Sequence, residues 1–258
     1  MTAKALLVAS YGTASTSAWA RSLDQLTSDL AAAFPDRELA FSCEGKGVRR
    51  LLEARREPLP STVDALGQLA STGVEDVLVC CAVVSAGRTL ESIGHAALAS
   101  APLFAALHLS EPLLATERDA CELASVLDAH HPRTEGIFHL LVGHGSGIQA
   151  DVMLGSVQHA FERLGRDDMA TTTLRERAGL PALLETLPYG VRKVRIVPLT
   201  FFAGAHVRKE LAGLEESSWA SLVAASGFEV SCAQEGLAEL PGVRSIFVRH
   251  AQVARPPA

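Results

Sequence analysis

The chain has 258 residues, of which 48% are hydrophobic and 20% are charged, and its formal net charge is −6. This composition is typical of a soluble globular protein with one large domain or two small ones, and it excludes an extended disordered chain. Basic residues are spread along the chain, so we expect no nucleic-acid partner and favour a small molecule or a second copy of the chain.

Targeting signals and disulfides are not expected. The N-terminal apolar run turns polar at Ser10, too early for a secretory signal, and no apolar run reaches membrane-spanning length. We therefore expect a cytoplasmic protein with no membrane partner. The five cysteines are odd in number and lack a Cys-x-x-Cys spacing, which predicts buried reduced thiols. Cys80 and Cys81 are neighbours in an apolar run and should point to opposite faces of a strand.

Short apolar runs rich in β-branched residues alternate with longer helical patterns along the chain. Strands are predicted at Ala5–Ser10, Leu39–Ser42, Val77–Val84, Phe104–Leu109, Phe138–Val142, Thr171–Thr173, Val194–Leu199 and Glu229–Cys232. The clearest helices are predicted at Thr16–Ala33, Ser61–Ser71, Thr116–His130, Ile148–Leu164 and Leu180–Leu187. This alternation predicts an α/β fold whose parallel sheets are flanked by helices.

A polar segment with a helix breaker, residues 130–136, separates two similar halves. We expect an N-terminal domain over residues 1–133 and a C-terminal domain over residues 134–258. Residues 64–89 align on residues 181–206 without a gap, and seven of the 26 pairs are identical. Both windows contain a helix pattern, a Gly-Val pair, a buried strand and an Ala-Gly loop. We therefore expect two copies of one α/β unit, with a ligand cleft between them at the carboxyl ends of the strands.

Two histidines follow strands in the second half. His144 lies between Gly143 and Gly145 directly after one strand, and His206 closes an Ala-Gly-Ala-His segment after another. Both should face the same crevice, because the carboxyl ends of parallel strands meet at one edge of a sheet. Neutral imidazole binds divalent first-row metals and accepts a proton near neutral pH. His144 and His206 are therefore the candidate metal ligands and catalytic residues. Four other histidines fit surface or hydrogen-bonded structural roles: His130, His131, His159 and His250.

Other chemistries fit the same loops less well. Residues 145–150 match the Gly-x-Gly-x-x-Ala form of a dinucleotide-binding loop, but the next predicted strand ends in threonines instead of the acid that would hold a ribose. No serine stands in a Gly-x-Ser-x-Gly pattern, and the P-loop pattern is absent. A nucleotide cofactor is therefore not expected.

The chain resembles the anaerobic sirohydrochlorin cobaltochelatases, within the class II tetrapyrrole metal chelatases. The matching stretches occur in the expected order over nearly the whole chain, at residues 5–13, 142–146, 197–206, 217–219, 235–239 and 246–250. The two histidine loops are the specific part of this likeness, since the strands alone would be weak evidence.

The resemblance implies two chelatase-like α/β domains that bind a macrocycle between them. It implies insertion of a divalent metal into sirohydrochlorin or a related ring without ATP, as a step toward cobalamin or a related cofactor. The metal is then a substrate, with Co²⁺ expected first and Fe²⁺ or Ni²⁺ as alternatives. His144 and His206 match the metal-binding histidines of the family. Contacts with the ring are expected from strand-end residues of both halves, namely Ser10, Tyr11, Gly12, Arg88, Thr89, Gly145 and Ser146.

Two acidic positions of the family pattern are replaced. The family usually carries an acid in the first-half loop where this chain has Arg88 and Thr89, and Thr89 is the repeat counterpart of His206. It also tends to show a Glu-Gly pair before a proline of the second half, where this chain has Ala178. Lost carboxylates weaken cation binding, whereas a guanidinium favours a carboxylate-bearing ring. The alternative function is therefore a non-catalytic tetrapyrrole- or haem-binding carrier on the same fold.

Overall fold

The computed structural model of the protein describes residues 3–145, 147–204 and 207–257, with Val207 described by its backbone only. Two separate four-stranded parallel sheets are present, each in its own compact unit. The first unit comprises Met1–Ala115 with Pro241–Ala258, and the second comprises Thr116–Leu240. The prediction of an α/β fold with two parallel sheets flanked by helices is thus confirmed.

The first unit has a sheet of order β2-β1-β3-β4. Its elements are β1 (Lys4–Ser10), α1 (Thr16–Ala33), β2 (Glu38–Cys43), α2 (Lys46–Ala54), α3 (Thr62–Ser71), β3 (Asp76–Ala82), α4 (Arg88–Ser100), a 3₁₀ turn (Ala101–Leu103) and β4 (Ala106–Leu109). The inner strands β1 and β3 are buried on both faces, as continuous apolar runs predict. Leu7 and Ala9 of β1 pack in one core with Leu66 of α3 and Ile93 of α4.

The second unit has a sheet of order β6-β5-β7-β8. Its elements are α5 (Glu117–His130), β5 (Ile137–Gly143), α6 (Ile148–Arg163), β6 (Met169–Thr173), a 3₁₀ helix (Leu174–Gly179), α7 (Leu180–Glu185), β7 (Lys193–Leu199), a π-helical turn (Val207–Leu211), α8 (Trp219–Ala225), β8 (Glu229–Cys232) and a 3₁₀ turn (Leu237–Glu239). Leu140 and Val142 of β5 pack in one core with Trp219 and Val223 of α8. All eight predicted strands are present, with ends within two residues of the predicted ones.

The two sheets repeat one topology in the same register. Lys4 pairs with Asp76 at the start of β1 and β3, and Ile137 pairs with Lys193 at the start of β5 and β7. In the gap-free alignment of residues 64–89 with residues 181–206, β3 and β7 begin and end at aligned positions. The internal repeat inferred from sequence therefore has a structural counterpart, and residues at equivalent strand ends can be compared directly.

The compact units divide the chain elsewhere than after residue 133. Helix α5 packs against α6 in the second unit, so that unit begins at Thr116. The last helix, α9 (Pro241–Gln252), returns to the first unit, where it packs against α1 and β3. The polar segment near residue 131 marks the end of a helix, whereas tertiary packing decides which sheet α5 and α9 each cover.

Two further expectations concern cysteines and membranes. All five cysteines are free thiols, as predicted, and Cys43, Cys80 and Cys81 are buried, but Cys121 and Cys232 are only half-buried. Burial raises the pKa of Cys80 to about 12, so this thiol stays protonated at neutral pH. Within the described ranges, no helix has the length and hydropathy needed to cross a membrane.

Candidate functional site

The loop after β5 presents the first candidate histidine. Strand β5 is buried through Gly143, and His144 follows it as an exposed residue at the carboxyl edge of the sheet. Gly145 then adopts a φ of 75°, a left-handed conformation that favours glycine. A Cβ atom at Gly145 would lie 2.8 Å from Cδ of Arg175, so the glycine also lets this arginine pack against the loop. Ser146, a predicted ring contact, lies outside the described residues.

The loop after β7 leads to the second candidate histidine. In this loop, the carbonyl of Thr200 accepts a hydrogen bond from the N–H of Leu237 at 2.8 Å. Gly236 approaches the same loop so closely that a Cβ atom there would lie 2.4 Å from the carbonyl oxygen of Phe201. The start of the loop is therefore held by the segment after β8. His206 lies outside the described residues, so its pairing with His144 stays a prediction.

A guanidinium lies beside Ala178, the position where the resemblance led us to expect an acid. Ala178 is exposed and offers no carboxylate, whereas the neighbouring Arg177 places Nη2 3.6 Å from Oε2 of Glu210. Glu210 belongs to the π-helical turn Val207–Leu211, a rare conformation that is frequent at functional sites. Nε of Arg177 is buried and has no hydrogen-bond partner in the part of the chain that the structure covers. This arginine therefore lies beside the segment that follows His206.

The equivalent edge of the first unit carries three predicted ring contacts in a row. Ser10 ends β1 and is buried, and its hydroxyl has no hydrogen-bond partner among the residues described. Tyr11 is 51% exposed, and Gly12 adopts a φ of 86°. The thiol of Cys43 donates to the carbonyl of Tyr11 at 3.0 Å, which holds this turn against the end of β2. By register, Tyr11 is the counterpart of His144 in the second unit.

Arg88 and Thr89 are the first two residues of α4 and not part of a loop, which corrects the expectation from sequence. Gly87, with a φ of 148°, precedes the helix and allows the chain to turn directly into it. Arg88 is exposed and Thr89 is half-buried. A helix N-terminus and a guanidinium both favour a negatively charged group, which is consistent with a carboxylate-bearing ligand.

Glu44 is an acid at the same edge that the sequence reasoning did not select. It follows β2 directly, and its Oε1 accepts hydrogen bonds from the N–H and O–H of Thr62 at 2.9 and 2.8 Å. The hydroxyl of Ser92 in α4 donates to Oε2 of Glu44. Burial raises the pKa of Glu44, but the hydrogen bonds from Ser92 and Thr62 outweigh burial and hold the pKa below its usual range. Applying the strand-end rule to β2 as well would have found this residue.

A shallow depression of about 540 Å³ in the second unit lies away from these loops. Phe138 and Met169, near the starts of β5 and β6, line it together with Leu187 and Pro188. It thus sits toward the amino ends of the strands, whereas His144 lies at the carboxyl end of β5. The geometry of this depression does not make it a candidate for the histidine site.

Two solved structures share this architecture. SirB from Bacillus subtilis with Fe³⁺ aligns over 97% of this chain and 95% of its own, with a TM-score of 0.66 and 14% identity. DR2241 from Deinococcus radiodurans, described as a multi-domain protein with structural similarity to chelatases, aligns over 97% of this chain and 55% of its own, with a TM-score of 0.57 and 14% identity. At such identities the likeness shows the fold, which is that of a two-unit α/β chelatase.

The chain belongs to the cobalt chelatase (CbiK) family, whose profile matches residues 4–255. The sirohydrochlorin cobaltochelatase of Salmonella typhimurium is 29% identical over 253 residues, which are 96% of this chain and 94% of that protein. The sirohydrochlorin cobaltochelatase CbiKC of Nitratidesulfovibrio vulgaris is 29% identical over 153 residues, or 58% of this chain and 54% of that protein. The resemblance read from the sequence is thereby confirmed.

Proposed function

We propose that the protein is a tetrapyrrole metal chelatase that inserts a divalent metal into sirohydrochlorin or a related ring without ATP. Co²⁺ is the preferred metal in this proposal, with Fe²⁺ and Ni²⁺ as alternatives. The observation that carries it is the exposed His144, which follows the inner strand β5 directly, in a chain of the cobalt chelatase family. Sirohydrochlorin cobaltochelatase relatives and the chelatase-like fold support the ring as the second substrate.

The chemistry of insertion requires what this edge of the sheet offers. Two pyrrole N–H protons leave the ring as the metal ion enters, and pyrrole N–H groups are very weak acids. A group that holds the cation at the ring face and a nearby base that accepts protons therefore lower the barrier. His144 and His206 are proposed to fill both roles. Two neutral imidazoles hold the ion loosely enough to release it, whereas a closed four-ligand site would retain it.

The ring contacts in this proposal come from strand-end residues and arginines. Tyr11 offers an exposed aromatic face beside the left-handed turn at Gly12. Arg88 at the start of α4 and Arg175 beside Gly145 offer guanidinium groups for ring carboxylates. Sirohydrochlorin-type rings carry many carboxylates, so these positive charges select the ring and not the free cation.

Arg88 and Arg177 favour a second candidate, a non-catalytic carrier of a tetrapyrrole or haem. Arg88 and Thr89 stand where the resemblance implies an acid, and Arg177, the neighbour of Ala178, pairs with Glu210. A carrier needs ring affinity but no proton acceptor. The two functions therefore differ in whether the chain accelerates metal entry.

One assay separates them. The purified chain is mixed with metal-free sirohydrochlorin and Co²⁺, Fe²⁺ or Ni²⁺ without ATP, and metal entry is followed by absorbance. An enzyme exceeds the spontaneous rate, and His144→Ala or His206→Ala lowers the excess by about 10²-fold, the scale of lost acid–base catalysis. His159→Ala, on the exposed face of α6, is the matched control and leaves the rate unchanged. If the chain binds the ring but metal enters only at the spontaneous rate, the protein is a carrier. If the chain does not bind the ring, both functions are refuted.

A further inference from the structure

A cluster of two histidines and one glutamate lies in the second unit, apart in sequence from both histidine loops. His130 ends α5, His131 follows it, and Glu235 lies after β8. One ligand atom from each residue lies within 4.8 Å of the others. Nε2 of His130 is 2.8 Å from Oε1 of Glu235. Residues separated by about a hundred positions therefore converge on one point.

We propose that His130, His131 and Glu235 bind one divalent transition-metal ion, as a second metal site independent of His144 and His206. Two imidazoles and one carboxylate are donors of the kind that Zn²⁺, Co²⁺ and Ni²⁺ take in proteins. Three protein ligands leave coordination positions for water. The proposal does not depend on the chelatase reaction, because these residues belong to neither candidate loop.

The distances allow an ion to be bound with small movements. Metal–nitrogen and metal–oxygen bonds of about 2.0–2.2 Å bring ligand atoms to roughly 3–3.5 Å from one another. The side chains of His130 and Glu235 are 39% and 30% exposed, so both can shift by the remaining ångström or so. His131 is 2% exposed and provides the fixed ligand.

The backbone around His131 is held firmly. Its N–H donates to the carbonyl of Leu127 at 2.8 Å, and its carbonyl accepts from Nη2 of Arg166 at 2.8 Å. Arg166 is in turn held by a two-point contact with Asp168, at 2.7 and 2.9 Å. A preorganised ligand loses little conformational entropy when the ion binds.

Carboxylates balance the positive charge that lies beside the cluster. Asp168 and Asp128 both contact Arg166 and offset its charge, which reduces the repulsion of an incoming cation.

The structural alternative is that His130 and Glu235 form only a surface ion pair. Such a pair needs no third residue, yet the ring of His131 packs edge-on against that of His130, with centroids 4.8 Å apart. Glu235 also precedes Gly236, which packs against Phe201 in the loop that leads to His206. An ion held by Glu235 would therefore stiffen the segment that supports this loop.

The test uses CoCl₂, NiCl₂ or ZnCl₂ alone, with no tetrapyrrole. His144→Ala with His206→Ala removes the proposed substrate site, and equilibrium dialysis then counts the ions that remain. We expect one ion per chain in this background, with visible Co²⁺ bands that indicate nitrogen ligands and a higher unfolding temperature when metal is present. Adding His130→Gln and Glu235→Gln should weaken that binding by tenfold or more, since even outer-shell losses cost about 10–100-fold.

Both added substitutions fall on partly exposed side chains, so the fold should survive, and circular dichroism checks this. His159→Gln in the same background is the matched control and keeps the ion. The proposal is wrong if the background variant binds no ion, or if its ion stays equally tight after His130 and Glu235 are both replaced. Chelatase activity need not be measured, so the outcome is separate from that of the proposed function.

Discussion

Gly12 and Gly145 adopt the same left-handed conformation, with φ of 86° and 75°, two residues beyond equivalent ends of β1 and β5. Their surroundings differ. A Cβ atom would lie 2.3 Å from the buried Sγ of Cys43 at Gly12, but 2.8 Å from Cδ of the exposed Arg175 at Gly145. The two positions therefore share a backbone requirement but not a packing requirement.

Gly12→Ala should destabilise the protein more than Gly145→Ala. Both lose about 1–2 kcal/mol from the left-handed backbone, and Gly12→Ala loses about 1–3 kcal/mol more because Cys43 cannot move aside as Arg175 can. Urea unfolding of the variants measures the difference. Gly94→Ala, in α4 with no atom within 4 Å of the added Cβ, is the control and should be neutral or stabilising. Equal losses at the two sites would contradict this account.

Gly236→Ala should disturb the loop before His206 without backbone strain of its own. The φ of Gly236 is −94°, which any residue adopts, so the whole effect comes from the contact with Phe201. We expect a loss of about 1–3 kcal/mol in stability. In a background with His130→Gln and Glu235→Gln, calorimetry should also show weaker Co²⁺ binding, because this loop leads to the proposed ligand His206. Gly155→Ala, in the interior of α6 with open space around it, should leave metal affinity unchanged and stability unchanged or higher. If the metal affinity is unchanged in Gly236→Ala, this loop does not contribute to metal binding.

Glu44→Gln should lower stability at neutral pH but not in acid. The pKa of Glu44 is lower in the folded protein than the ordinary value of 4.5, so the folded state binds fewer protons than the unfolded chain near that value. Its contribution is therefore complete above about pH 4.5 and is lost as the pH falls through the folded pKa.

The expected loss in Glu44→Gln is about 1–2 kcal/mol at pH 7, because the hydrogen bonds from Thr62 and Ser92 lose a charged acceptor. Urea unfolding at pH 7 and near pH 3 measures it, and the difference from the wild type should shrink in acid. Glu53→Gln, on the exposed face of α2, controls for the loss of one charge. If the stability difference between the wild type and Glu44→Gln is the same at pH 7 and near pH 3, then Thr62 and Ser92 do not stabilise Glu44 as a carboxylate.

Arg88→Ala combined with Thr89→Glu should strengthen metal binding and weaken ring binding. Removing a guanidinium lowers the repulsion of a cation by about 1 kcal/mol in a solvent-exposed setting, and the new carboxylate sits favourably at the N-terminus of α4. Calorimetry should show tighter Co²⁺ or Ni²⁺ binding, by roughly fivefold or more, and weaker binding of carboxylate-rich rings. Arg50→Ala, on the exposed face of α2, should alter neither affinity. Unchanged affinities in the double variant would place Arg88 and Thr89 outside the site.

The local elements were predictable because their causes are local. The strand at Glu229–Cys232 and the helix at Thr16–Ala33 have the predicted ends, since apolar periodicity and a capping residue such as Ser15 operate within a few positions. The repeat was predictable for the same reason, because both copies must bury the same pattern. The histidine at the end of β5 followed from the strand assignment.

Tertiary packing decided which residues far apart in the sequence contact one another. The helix breaker near residue 131 marks the end of α5 correctly, but whether α5 covers the first or the second sheet depends on its contacts with α6, which periodicity does not encode. Glu44 meets Ser92 only because β2 ends and α4 begins at the same edge of the sheet. His130 meets Glu235 across 105 positions. An amphipathic pattern specifies that a face is buried, and only the packed fold specifies against which partner.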